Sequence, residues 1–229
     1  MSKRRHSPRE ASVPAAQEPL RIIGGTHRGR KLVYEPHELQ GAKVTRPMKH
    51  RVREAIFNLV GPRVEGKHAL DLFAGTGALG LEALSRGAVQ ATFIERHLPT
   101  AEVVRQNIAE LAEQNRADLL TTSAFLWAKR DLPRLRADPP WLVFVSPPYD
   151  FYVEQSDSLL TMMNRLLAAA PIGSLFVVEA DMRFDFRPLP LGVREDRHAP
   201  GWDVREYPPA VVGVLEIDDL TQNFLRSQS

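Results

Sequence analysis

The stretch Asp71-Leu-Phe-Ala-Gly-Thr-Gly-Ala-Leu-Gly80 lies where a strand predicted over residues 69–73 gives way to a helix predicted over about 78–86. Glycines at such a junction let the backbone turn sharply and let a ligand approach where a Cβ would collide. Taken literally, Gly75-x-Gly77-x-x-Gly80 matches the dinucleotide fingerprint, and Glu95 falls about where a ribose-binding acid belongs. Asp71 argues for a different ligand. A carboxylate at the strand tip repels a pyrophosphate arriving at the same loop but suits a ligand bearing cationic and amine groups. S-adenosylmethionine has both and carries no phosphate, and Glu95 can accept both ribose hydroxyls of either cofactor. The motif favours S-adenosylmethionine and leaves a nicotinamide dinucleotide as the alternative.

Outward from this turn the chain alternates strands and helices. Strands are expected at 69–73, 91–95, 119–122, 141–145 and 174–179, with helices near 78–86, 99–114 and 153–170. Such alternation implies a mainly parallel, doubly wound sheet. Residues 201–207 and 211–217 have no helix between them and read as a closing antiparallel pair. Upstream, residues 20–34 form a hairpin-like element around Gly24-Gly25 and Gly29 that carries Arg21, Arg28, Arg30 and Lys31. Arg46-Pro47 opens a helix whose apolar face is Val52, Ala55, Ile56, Leu59 and Val60, with Arg46, Lys49, His50 and Arg53 opposite, and Gly61-Pro62 stops it. The organisation expected is a basic tail (1–19), an RNA-binding hairpin and helix (20–62), a catalytic domain (63–220) and a C-terminal tail (221–229).

The fourth strand ends in Ser146-Pro147-Pro148-Tyr149. In open α/β sheets, ligands sit beyond the carboxyl ends of the strands near the point where strand order reverses, which is where this segment emerges. Prolines have fixed φ and no N–H, so they make a rigid turn with carbonyls available as acceptors. Acceptors beside an aromatic plate suit a flat ring bearing an amino group. Ser146 Oγ and the Pro147 carbonyl can each accept an N–H of an exocyclic amine, and Tyr149 can stack on the ring. A base must leave its stack to reach such a pocket.

The bulk numbers narrow the field further. The chain has 229 residues, enough for one sizeable domain and a small appendage, and it has no cysteine, which excludes disulfides, thiolate metal sites and a thiol nucleophile. No apolar run reaches membrane-spanning length, and the N-terminus lacks the apolar segment of a secretory signal, so a cytoplasmic protein is expected. The histidines show no metal-ligand spacing. A net charge of +2 hides a segregation: residues 1–54 carry 13 Lys/Arg against 5 Asp/Glu, and the rest 17 against 23. A basic front of this kind is a surface for a polyanion, nucleic acid first. No exposed apolar stripe is evident, so a monomer is expected.

Taken together, Asp71-Leu-Phe-Ala-Gly-Thr-Gly and Ser146-Pro-Pro-Tyr resemble the amino-methyltransferases. The closer resemblance is to the RsmD-type 16S ribosomal RNA (guanine-N2) methyltransferases. Arg21-Ile-Ile-Gly-Gly-Thr-His-Arg-Gly-Arg-Lys-Leu32, Arg46-Pro-Met-Lys-His-Arg-Val-Arg-Glu-Ala-Ile-Phe-Asn58 and the extension of the glycine motif to Gly87 are similar to that family in order and spacing. The resemblance implies a Rossmann-like S-adenosylmethionine-dependent methyltransferase fold: a mainly parallel seven-stranded sheet, an antiparallel C-terminal strand pair and a small N-terminal hairpin-helix extension. It implies that Asp71, Phe73, Gly75, Gly77, Glu95, Arg96, Ser123 and Ala124 hold S-adenosylmethionine. Ser146, Pro147, Pro148 and Tyr149 would hold the guanine amine, and Arg21, Arg28, Arg30, Lys31, Arg46, Lys49 and Arg53 would grip phosphates of 16S ribosomal RNA or of the assembling small subunit. Two positions depart from the pattern. The family usually has Asp where this chain has Ser146, and Ser-Pro-Pro-Tyr is also common among cytosine-N4 methyltransferases. Thr122-Ser123-Ala124 stands where an Asp or Asn often contacts adenine. Another RNA or DNA base amine, an NAD-linked oxidoreductase and an inactive RNA-binding module are the competing expectations.

Overall fold

Seven strands form one sheet: β1 (His68–Asp71), β2 (Gln90–Ile94), β3 (Ala117–Leu120), β4 (Trp141–Val145), β5 (Leu175–Asp181), β6 (Asp203–Tyr207) and β7 (Ala210–Glu216). This computed structural model describes residues 19–34 and 50–227. The order across the sheet is β3-β2-β1-β4-β5-β7-β6. The first five strands in that order run parallel, and β7 pairs antiparallel with both β5 and β6. The closing antiparallel pair is where the sequence placed it.

The central strands are buried throughout because both faces of the sheet are covered, which is why they read as continuous apolar runs rather than alternating ones. Successive side chains still part company. Ala69, Phe93, Leu142, Phe144 and Val177 face one core with α1 (His50–Val60), α2 (Ala78–Ser85) and α3 (Leu98–Glu110). Leu70, Ile94, Val143, Val145 and Val178 face a second core with α4 (Ala124–Arg130) and α6 (Ser156–Ala169). The helix expected over 153–170 is broken in two: α5 (Phe151–Glu154) ends at Gln155, whose backbone leaves the helical region before α6 begins. Residues 221–227 are not the expected tail, because α7 (Asp219–Ser227) occupies them and Thr221 is buried. Among the described residues no helix is long and apolar enough to cross a membrane.

Residues 20–34 do form a hairpin-like turn, with a single antiparallel bridge between Arg21 and Lys31. It is held by the sheet and its helices rather than standing apart from them. Ile22 and Leu32 belong to the same hydrophobic cluster as Phe93 and Phe144. The fully buried Glu82 of α2 accepts the N–H groups of Ile23 and Gly24, both at 2.7 Å, and takes Arg86 Nε at 2.8 Å. At the end of the same helix the Ser85 carbonyl accepts the Thr26 N–H at 2.8 Å. On α3, Asn107 Oδ1 accepts the Val33 N–H at 2.6 Å while its Nδ2 donates to the Val33 and Thr76 carbonyls. One amide thereby ties the hairpin to the glycine turn.

Gly25 is the tightest point of this docking. Its φ is +76° and a Cβ would fall 1.8 Å from the Ser85 carbonyl oxygen, whereas Gly29, at φ +83°, faces open space. Gly25→Ala should therefore cost roughly 3 kcal/mol or more, combining strain with displaced backbone. Gly29→Ala should cost only the left-handed penalty, about 1–2 kcal/mol. Urea unfolding of the two variants measures the difference directly.

Candidate active site

The carboxyl ends of β2, β1, β4 and β5 lie side by side, and each delivers a polar group to the same edge. Asp71, at the tip of β1, is 2% exposed, and its Oδ2 accepts the Gly80 N–H at 3.0 Å. Burial pushes its carboxyl up to about 7, against the pull of the Gly80 N–H and with help from the neighbouring Glu95 charge. Glu95 follows β2. Its Oε2 accepts the Gly75 N–H at 2.9 Å and its Oε1 the His97 N–H at 2.8 Å, so it pins the glycine turn to the tip of the next strand. Each of those oxygens retains a second lone pair for a ligand hydroxyl.

The glycines divide their labour differently from the fingerprint reading. Gly80 serves packing, since a Cβ there would sit 2.3 Å from the Phe93 ring. Gly77 turns the chain into α2 at φ +78°, with Val104 3.2 Å from where a Cβ would be. Gly75, at φ +54°, looks into open space. Of the three, it alone would place a Cβ clear of other atoms.

After β4, the Pro148 carbonyl accepts the Phe151 N–H at 2.9 Å and closes the turn, while among the described residues no hydrogen bond uses the Pro147 carbonyl. Ser146 Oγ donates to Glu179 Oε2 at 2.6 Å, and the Tyr149 hydroxyl donates to Glu179 Oε1, also at 2.6 Å. The backbone carbonyl of Glu179 accepts the Tyr152 hydroxyl at 2.7 Å. Glu179 was not foreseen. It stands on β5, 33 residues from Ser146, and is 6% exposed. Its one sequence signal is a lone acid closing the apolar run Leu175–Val178 at the same sheet edge as Asp71. Burial, followed by the Glu179 hydrogen bond and charge, holds the Tyr149 hydroxyl well above its ordinary value, so it stays a donor. Tyr152 is shifted the same way, chiefly by burial.

An aromatic floor joins the two turns. Phe73, just after β1, meets Phe151, just after the Pro-Pro turn, edge to face at 6.2 Å between centroids, and Phe125 of α4 packs on both. Arg96 lies 5.0 Å above the Phe151 ring. Ser123 precedes α4 and its carbonyl accepts the Trp127 N–H, and Ala124 beside it is buried. Phe151 and Tyr152 turn inward: Phe151 joins the second core and Tyr152 packs 4.3 Å from the Phe184 ring.

The basic residues of the front end sort into two groups. Arg28, Arg30 and Lys31 are exposed, with Arg30 reaching back to the Glu110 carbonyl. Arg21 is half-buried and its Nη1 donates to the Gly29 carbonyl at 2.8 Å, bracing the hairpin. Arg53 corrects the expectation of a phosphate-gripping face. It is fully buried, with Nε 3.9 Å from Glu82 Oε2 and Nη2 donating to the Arg21 carbonyl. The docked hairpin covers that side of α1, so the guanidinium faces protein instead of solvent. Arg46 and Lys49 lie outside the described residues.

A family described as Conserved hypothetical protein 95 matches residues 20–190. The chain belongs to that family. It is 34% identical over 160 residues to the ribosomal RNA small subunit methyltransferase D of Haemophilus influenzae, covering 69% of this chain and 79% of that one. The protein of the same name from Escherichia coli K12 is 39% identical over 130 residues, covering 57% and 60%. A solved Escherichia coli structure described as a "putative methyltransferase" superposes with a TM-score of 0.64 at 28% identity, covering 88% of this chain and 99% of that one. The fold is accordingly the Rossmann-like S-adenosylmethionine-dependent methyltransferase fold anticipated from the sequence.

The buried Asp71 allows a check on protonation. Its native carboxyl titrates near 7 and its unfolded one near 3.8. Between those values the native state holds the extra proton, so stability falls as pH rises through the window and the cost is fully present above it. Asp71→Asn keeps an acceptor for the Gly80 N–H without that cost. It should match the wild type near pH 4 and gain on it by as much as ~4 kcal/mol near pH 8 in paired urea titrations.

Proposed function

We propose that this chain, as a monomer in the cytoplasm, transfers a methyl group from S-adenosylmethionine to the exocyclic N2 amine of a guanine in 16S ribosomal RNA or the assembling small subunit. Membership of the family, and the names of the relatives from Haemophilus influenzae and Escherichia coli, support an S-adenosylmethionine-dependent ribosomal RNA methyltransferase. The observation that carries the reading is the shared floor of the two turns, in which Phe73 of the glycine turn touches Phe151 of the Pro-Pro turn.

The residues present suit the cofactor. S-adenosylmethionine, when bound, supplies an electrophilic methyl on a sulfonium sulfur. A buried acid at Asp71, a second at Glu95 and the uncovered backbone of Gly75 favour a cationic, hydroxyl-rich ligand without phosphate. Phe73, Gly77, Arg96, Ser123 and Ala124 complete the set that would hold it. Ser146 Oγ spends its proton on Glu179 and so meets an incoming N–H as an acceptor, beside the Pro147 carbonyl. Tyr149, 37% exposed with its hydroxyl anchored, offers a ring for a base to lie against. Catalysis of this kind is mostly orientation and electrostatic stabilisation of the nitrogen as it becomes positive.

Arg28, Arg30 and Lys31 extend outward from the hairpin and suit phosphate contacts, which add affinity without choosing a sequence. Charge reversal at Arg28 and Lys31 together should weaken RNA binding by about tenfold or more at low salt. It should also flatten the slope of log affinity against log salt by about 2, as measured by filter binding across a salt series.

Nucleoside mass spectrometry of small-subunit RNA incubated with the enzyme and the methyl donor should find N2-methylguanosine. N4-methylcytidine instead would transfer the reading to the cytosine enzymes that share Ser-Pro-Pro-Tyr.

A further inference from the structure

Resting on the amino-methyltransferase reading, we propose that Glu179 is the positioning residue of the transfer and the terminal proton acceptor, acting through Ser146. Its carboxylate stands on β5, behind the strand-four turn, and connects to the position of the amine through one hydroxyl.

The geometry supports this arrangement in three ways. Both carboxylate oxygens are committed at 2.6 Å, one to Ser146 and one to Tyr149, the two side chains of the turn that would meet the base. The carboxylate is buried, so its charge acts on nearby groups through little water. Among the described residues no cation pairs with it: across the sheet its partner on β7 is Val212, and Arg183 beyond the strand is taken by Asp181. The titratable groups around it are Tyr149, Tyr152 and Asp181. The carboxylate holds both polar side chains of the turn and keeps a negative charge immediately behind the acceptor oxygen.

The step balances as follows. The amine nitrogen forms a bond to the methyl carbon while the carbon–sulfur bond breaks, its electron pair remaining on sulfur. The nitrogen, now positive, loses one proton to Ser146 Oγ as the Ser146 hydroxyl proton passes to Glu179 Oε2. The products are a neutral methylated amine, a restored serine and a protonated Glu179, which returns its proton to solvent after release. Two tasks thus fall to one residue: fixing the Ser146 and Tyr149 rotamers before transfer, and taking up charge during it.

Glu179→Gln, Ser146→Asp and the double variant test the idea, with methyl transfer to each nucleoside followed by mass spectrometry. Glu179→Gln should lower kcat on the order of 100-fold, with KM for RNA and cofactor affinity changed less than about threefold. Ser146→Asp placed in the Glu179→Gln background should recover at least about tenfold of the loss, because it restores a carboxylate at the turn. Without any substrate, ultraviolet titration against a Tyr149→Phe control should show the Tyr149 hydroxyl ionising at lower pH in Glu179→Gln. A Glu179→Gln enzyme within threefold of wild-type kcat overturns the proposal, as does a loss that appears only in KM or that Ser146→Asp does not recover. Methyl found on cytosine N4 in the wild type would overturn the guanine reading alone, and the same comparison would then be scored on cytosine.

Discussion

The pairing of β1 with β4 is the constraint from which the site follows. These two strands lie side by side in parallel, with Asp71 opposite Phe144. From that junction α2 carries the chain toward β2, while the segments after β4 carry it toward β5, so the two connections leave in opposite directions. A gap at the carboxyl edge is the necessary result. Were another strand inserted between them, about one strand spacing, ~4.8 Å, would be added, and Phe73 would no longer reach Phe151. Phe73 meets Phe151 because the strands are neighbours and not because either loop is unusual.

How legible this was depends on how local the cause is. The central strands declare themselves, since burial on both faces leaves runs such as Trp141–Val145 without a polar residue. Asp71, Glu95 and the Ser146–Tyr149 turn could be read because each follows directly on such a run. Helix α4 escaped notice because it has only 7 residues and buries just Ala124, Trp127 and Ala128, too short a pattern to register a period. The three largest surprises share a different origin. Arg53 is buried because the hairpin folds over it, with Arg21 32 residues upstream; Glu82 is buried because that same hairpin donates two N–H groups to it; Glu179 is buried because Ser146 and Tyr149 arrive from another strand. A charged residue on an element looks solvent-facing until its long-range partner is known. Gly80 misled for a related reason: its neighbour is Phe93 on β2, so the sequence shows a missing Cβ without showing what occupies the space.

The N-terminal hairpin links these two levels. Asn107 joins Val33 to Thr76, inside the glycine turn, and Glu82 joins Ile23 and Gly24 to α2, the helix that the turn begins. The exposed Arg28 and Lys31 therefore project from an element bolted to the glycine turn instead of from a flexible arm. The hairpin surface and the glycine turn share a connection through buried polar groups, each of which is costly to leave unpaired.

The charges of the cleft argue for what can enter it. Buried or half-buried acids stand near the ends of three strands, Asp71, Glu95 and Glu179, whereas basic residues unpaired among the described residues lie at the surface: Arg96 above Phe151 and the hairpin cations Arg28 and Lys31. A phosphate drawn to the exterior meets increasing repulsion if it moves inward, since two unit charges 4 Å apart at an effective dielectric of about 20 interact by ~4 kcal/mol. A neutral ring that gains positive charge as it reacts meets the opposite gradient. On the proposed function, the same distribution would keep a nucleic acid backbone outside while admitting its base, and the acids would be most favourable at the moment when the nitrogen carries its charge.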